Sequence, residues 1–166
     1  QVWVMAGTYF PEENMSYDST FALYVGSEIY GGFGPSALLW DERDPETYET
    51  ILSGQGVAEH VVNAEIDSAV IDGVTIRDGL SYDYDGGAGI YVGETVLTIR
   101  NTSFSNNDAG GQGGAVEIPS VASVTIIDSV FEDNTSGSYG GAIYIHPGAD
   151  VEISGCRFER NSTPLY

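Results

Sequence analysis

The sequence predicts an all-β fold, a right-handed parallel β-helix (a solenoid) with coils of about 27 residues. Two observations carry this. First, three segments align without gaps: Gly86-Gly87-Ala88 through Asn107, Gly113-Gly114-Ala115 through Asn134, and Gly140-Gly141-Ala142 through Asn161, each beginning 27 residues after the one before. Second, apolar residues within a repeat alternate with the period of a strand, as Val116 and Ile118, then Val124 and Ile126, do in the second repeat. A repeat this short has no room for a strand pair with a crossover helix. Each coil must therefore stack on the next, its strands paired in parallel roughly 4.7–4.9 Å apart.

Stacking turns equivalent positions into columns. Phe104, Phe131 and Phe158 form one, expected as an aromatic stack inside the solenoid. Thr102, Ser129 and Cys156 form a column of small residues suited to a tight inward corner. Asn107, Asn134 and Asn161 form a turn ladder, where an amide can bond the next coil and where Asn tolerates left-handed backbone. Upstream, Val70-Ile71-Asp72-Gly73-Val74-Thr75-Ile76 matches the stretch from Leu97 through Phe104 at an offset of about 28, counted from Ile71 to Ile99. Residues 2–5, 21–25, 28–30 and 50–52 read as strands of earlier, less regular coils, and residues 35–49, acidic and aromatic, as an excursion loop. The expected organisation is one continuous domain, with irregular coils over 1–56 and regular coils over 57–166. The strand that begins directly after Gln1, and a last coil that closes at Asn161, read as a segment of a longer solenoid.

The charge narrows the function. Asp and Glu total 25 against five basic residues, all Arg, so the net charge of −20 disfavours nucleic acid and anionic lipid as partners. No apolar run is long enough to span a bilayer as a helix, so no direct membrane insertion is expected. Cys156 is the only cysteine, which leaves no disulfide within the chain and makes it a small packing residue.

Two sets of motifs resemble known repeats. Gly-Gly-Ala-(Ile/Val) paired with Phe-x-x-Asn is similar to the repeats of chlamydial polymorphic outer-membrane proteins: Gly114-Ala115-Val116, Gly141-Ala142-Ile143, Phe104 to Asn107, Phe131 to Asn134 and Phe158 to Asn161. The N-terminal half resembles large exported bacterial β-helix proteins through Ala6-Gly7-Thr8-Tyr9, Tyr30-Gly31-Gly32-Phe33, Leu52-Ser53-Gly54 and Ile71-Asp72-Gly73-Val74. The resemblance implies export and a secreted or cell-surface location.

Three kinds of site are weighed. Calcium is the possible cofactor, with carboxylates of Asp83, Asp85 and Asp108 in successive turns as ligands. Ligand binding is assigned to Tyr82, Tyr84, Tyr139, Tyr144 and Glu117: on the expected register Ile90, Glu117 and Tyr144 face outward, with Val92, Pro119 and His146 beside them. An enzyme acting on acidic polysaccharide would need a basic residue among carboxylates, for which Arg77 and Arg100, about one coil apart, are the candidates near Asp78. No catalytic set is assigned. The favoured expectation is a non-catalytic structural and adhesive module that binds a glycan or a surface protein. A polysaccharide lyase or hydrolase is one alternative, and a self-assembling subunit of an extracellular filament or surface layer is the other.

Overall fold

A computed structural model describes residues 1–65, 68–82 and 84–164. Among these, the chain winds through four sheets, every strand pair parallel. Sheet 1 holds Val2–Met5, Ser27–Phe33, Ser68–Asp72, Val96–Arg100, Ser123–Ile127 and Asp150–Ser154. Sheet 2 holds Gly7–Tyr9, Thr50–Ser53, Thr75–Arg77, Ser103–Ser105, Val130–Glu132 and Arg157–Glu159. Sheet 3 is narrow, with Leu80–Ser81, Asp108–Ala109 and Thr135–Ser136. Sheet 4 holds Phe21–Ala22, Val62–Ala64, Ile90–Val92, Val116–Ile118 and Ile143–Ile145. The expected parallel solenoid is the observed fold.

Alternation sends one side of each strand into a shared core. Leu97, Ile99, Val124 and Ile126 from sheet 1 meet Ile76, Phe104 and Phe131 from sheet 2 and Val62, Ile90 and Val116 from sheet 4. Each such buried side chain stabilises by about 1.5–3 kcal/mol relative to exposure. The phenylalanines stack at the coil spacing, with centroids 4.6 Å apart for Phe104 and Phe131 and 4.9 Å for Phe131 and Phe158. The parallel ladder dictates this face-to-face geometry, because identical side chains at identical positions share one rotamer.

The asparagine column closes the corner between sheets 2 and 3. Asn134 Oδ1 accepts from the backbone N–H of Asn107 at 3.1 Å and from Asn107 Nδ2 at 2.9 Å. Its own Nδ2 donates to the carbonyl of Phe104 at 3.0 Å and to Asn161 Oδ1 at 2.9 Å. Asn107 and Asn134 are fully buried, and every polar atom of this side chain is matched. The left-handed backbone lies one residue earlier than expected, at Asp78, Asn106, Asp133 and Arg160, with φ between 51° and 59°. The reason is geometric: the left-handed residue turns the chain outward and exposes its own side chain, so the residue after it points in.

The excursion spans residues 34–49, with one 3₁₀ turn at Trp40–Glu42. It folds over the outer face of sheet 1. Trp40 packs edge-on against Tyr30 at 4.8 Å and lies 5.7 Å from Trp3, which stacks on Phe33. Arg43 Nε donates to the carbonyl of Gly31 at 2.6 Å, and its guanidinium pairs with Asp72 at 2.6 Å. Arg100 Nε reaches the other oxygen of Asp72 at 2.6 Å, and Asn101 Nδ2 adds a third bond at 3.0 Å. A Cβ on Gly73 would lie only 2.0 Å from the Arg43 guanidinium, and φ there is +70°, so glycine is required twice over. Burial alone would raise the Asp72 pKa. The hydrogen bonds from Arg43, Asn101 and Arg100 outweigh it and hold the carboxyl below its ordinary value.

Two outcomes follow for stability. Asn134→Ala strands two buried donors and one carbonyl, and is expected to cost about 3 kcal/mol or more in urea unfolding, whereas Asn106→Gly at a left-handed position costs under about 1 kcal/mol. Equal costs at the two positions would contradict the ladder. Because the folded pKa of Asp72 is depressed, its contribution is present above the unfolded value of about 4 and is lost as pH falls through the folded value. The stability gap between wild type and Asp72→Asn, measured by urea titration across the acid range, is therefore largest near neutral pH and closes on acidification. A gap independent of pH would show that Asp72 does not anchor the loop by charge.

Candidate ligand-binding face

The outward residues of sheet 4 form one straight row. The middle residue of each strand points away from the core, and the Cα register pairs Asn63 with Tyr91, Tyr91 with Glu117 and Glu117 with Tyr144. The row thus carries an amide, a phenol, a carboxylate and a phenol on four successive coils. Flanking groups support it. The His60 ring lies 4.9 Å from that of Tyr91, and His146 Nε2 lies 2.5 Å from Glu117 Oε1. The same imidazole meets Tyr144 edge-on at 4.9 Å, and Tyr139 leans on Tyr144 at 6.3 Å. Tyr91 remains 40% exposed.

A small hollow of about 130 Å³ opens beside Asn63 and His60, lined also by Asp18, Thr20 and Glu59. Tyr17 closes one side. Its hydroxyl donates to Glu59 Oε1 at 2.7 Å and accepts from the backbone N–H of Tyr82 at 3.2 Å, and its ring stacks on Tyr82 at 5.5 Å. Burial, then the hydrogen bond to Glu59, raises the Tyr17 pKa above its ordinary value, so the phenol stays neutral.

The row corrects the expected register. Ile90 is fully buried and Val92 nearly so, and Tyr91 is the outward residue between them. Ile90 pairs with Val116, an offset of 26, while Val96 pairs with Ser123, an offset of 27. Gly87, Gly113 and Gly140 mark the equivalent position, each with φ of 66–67°. The Gly-Gly-Ala match at Gly86 is therefore one residue out, and the turn at 93–95, one residue shorter than that at 119–122, restores the period. Tyr144 and Glu117 lie in the row, Tyr139 and Tyr82 flank it, and Tyr84 is 95% exposed at a turn. Tyr91, Asn63 and His60 were not singled out from sequence. Aligning on the buried Ile/Val positions instead of the glycines would have found Tyr91.

The other expected constellations separate. Asp83 lies outside the described residues. Asp108 sits in sheet 3 beside Leu80 and Thr135, whereas Asp85 lies further round the coil, where its carbonyl accepts from Gly111. The asparagines of those turns are consumed by the buried ladder. No group of three or more His, Cys, Asp or Glu able to hold a metal is found among the described residues. Arg77 and Arg100 do not share a face, because the former is in sheet 2 and pairs with Asp78 at 3.2 Å, and the latter is in sheet 1 on Asp72. A cleft of about 510 Å³ does open under the excursion loop, between Glu46, Glu49 and the turn residues Asn101 and Asp128, but its arginine, Arg43, is committed to Asp72.

A parallel solenoid whose coils repeat in register places the chain in the β-helix class. The family model described as "Right handed beta helix region" matches residues 56–166, and the chain belongs to that family. No curated protein and no solved structure matches it.

Proposed function

We propose that this chain is a non-catalytic structural and adhesive module of a secreted or cell-surface protein, binding a glycan or protein partner on the outer face of sheet 4. The row Asn63–Tyr91–Glu117–Tyr144 carries the reading. It sets two phenol rings, a carboxylate and an amide on four consecutive coils whose backbones are fixed by the ladders behind them. Aromatic rings with interspersed hydrogen-bonding groups on a rigid sheet are what sugars and protein surfaces both need, since little ordering entropy is lost on binding. The net charge of −20 suits an exposed, soluble surface and repels anionic partners. The bacterial-type repeat motifs fit an exported protein.

The reading is tested by presenting the chain to arrays of immobilised glycans and purified extracellular proteins. The double variant Tyr91→Ala/Tyr144→Ala is expected to lose any ligand by about tenfold or more, while Tyr24→Ala, at an exposed position outside the row, retains it. Ligands that bind the double variant and the wild type equally, or a glycan that is cleaved during the assay, would overturn it.

A further inference from the structure

We propose that the sheet 4 face takes an extended β-1,4-linked glycan, neutral or amine-bearing, lying along the solenoid axis with one sugar per coil; this rests on the ligand-binding reading of that face.

The period of the coils selects the ligand. Successive coils, and so successive residues of the outward row, are spaced roughly 4.7–4.9 Å apart. An extended β-1,4-linked pyranose chain advances by close to that distance per ring, so a chain along the axis stays in step with the row. An extended peptide advances only roughly 3.3 Å per residue and repeats a face every second residue, so it drifts out of step within two coils.

The order of side chains adds a second match. In an extended β-1,4 chain each ring is turned over relative to the last, so rings two apart present the same face. Tyr91 and Tyr144 lie two coils apart, with Glu117 between them. The first and third sugars thus meet aromatic platforms with equivalent faces. The middle sugar meets Glu117, whose carboxylate is oriented by His146 and accepts hydroxyl or amine hydrogens. A fourth sugar falls on Asn63 beside the hollow formed with His60, Thr20 and Glu59. Charge selects within this class: Glu117, Glu59 and Asp18 line the path, so uronate or sulfated chains are repelled.

Isothermal titration with cello- and chito-oligosaccharides of increasing length tests this, with malto-oligosaccharides and oligogalacturonates as comparators. Affinity is expected to rise by about tenfold or more between the disaccharide and the tetrasaccharide and then level off, because four coils carry the row. Tyr91→Ala and Tyr144→Ala each lower tetrasaccharide affinity about tenfold with unchanged far-UV circular dichroism. The α-linked and the acidic series bind at least about tenfold more weakly. Absence of binding by both β-1,4 series, binding independent of length, or equal binding of the α-linked series overturns the axial register. If the face instead binds another glycan, or a protein, that the two tyrosine variants lose, the inference falls and the reading of the face stands. If no ligand is sensitive to those variants, both fall.

Discussion

The structure depends on the buried asparagine ladder at the corner between sheets 2 and 3. A solenoid must turn a corner several times per coil, and each corner interrupts the backbone ladders that satisfy peptide groups elsewhere. Here a side-chain amide stands in for the missing peptide partner. Asn107 and Asn134 each accept from the preceding coil and donate both to a carbonyl of that coil and to the asparagine of the following one, so the corner is bonded as continuously as the strands. Burying such groups without partners would be costly, so any slip of one coil against the next breaks several bonds at once. The phenylalanine stack beside it adds area but little specificity, since one apolar ring slides over another more easily than an amide leaves its acceptor.

The register that the ladder enforces is also what aligns the outer face. Hydrophobic burial alone would tolerate coils of uneven pitch, and uneven pitch would scatter Asn63, Tyr91, Glu117 and Tyr144. With the coils locked, the inner and outer residues of one strand are set by the same pairing, Val116 and Ile118 inward and Glu117 outward. The excursion loop solves a different problem. Its Arg43 covers Gly73 and neutralises the buried Asp72 together with Arg100, so a loop inserted between the sheet 1 and sheet 2 strands of one coil is tied down onto the next coil.

Much of this was legible in the sequence because it repeats. The Phe and Asn columns and the offset of 28 to the earlier coil follow from spacing, and the excursion from its acidic and aromatic composition. Two things were not. Gly86-Gly87-Ala88-Gly89 offers more than one register to a Gly-Gly-Ala pattern, and small residues carry no volume to decide between them, so Tyr91 was hidden behind Ile90. Asp72 and Arg43 are joined across a loop that occurs once, and an interaction made once leaves no periodic trace.

The most direct test of the ladder is a double-mutant cycle between Asn107→Ala and Asn134→Ala, read by equilibrium unfolding in urea. If each amide serves the other and the coil between them, the two losses are coupled by about 1 kcal/mol or more and the double variant is less destabilised than the sum. Losses that add within about 0.5 kcal/mol would mean that the coils keep their register without the ladder.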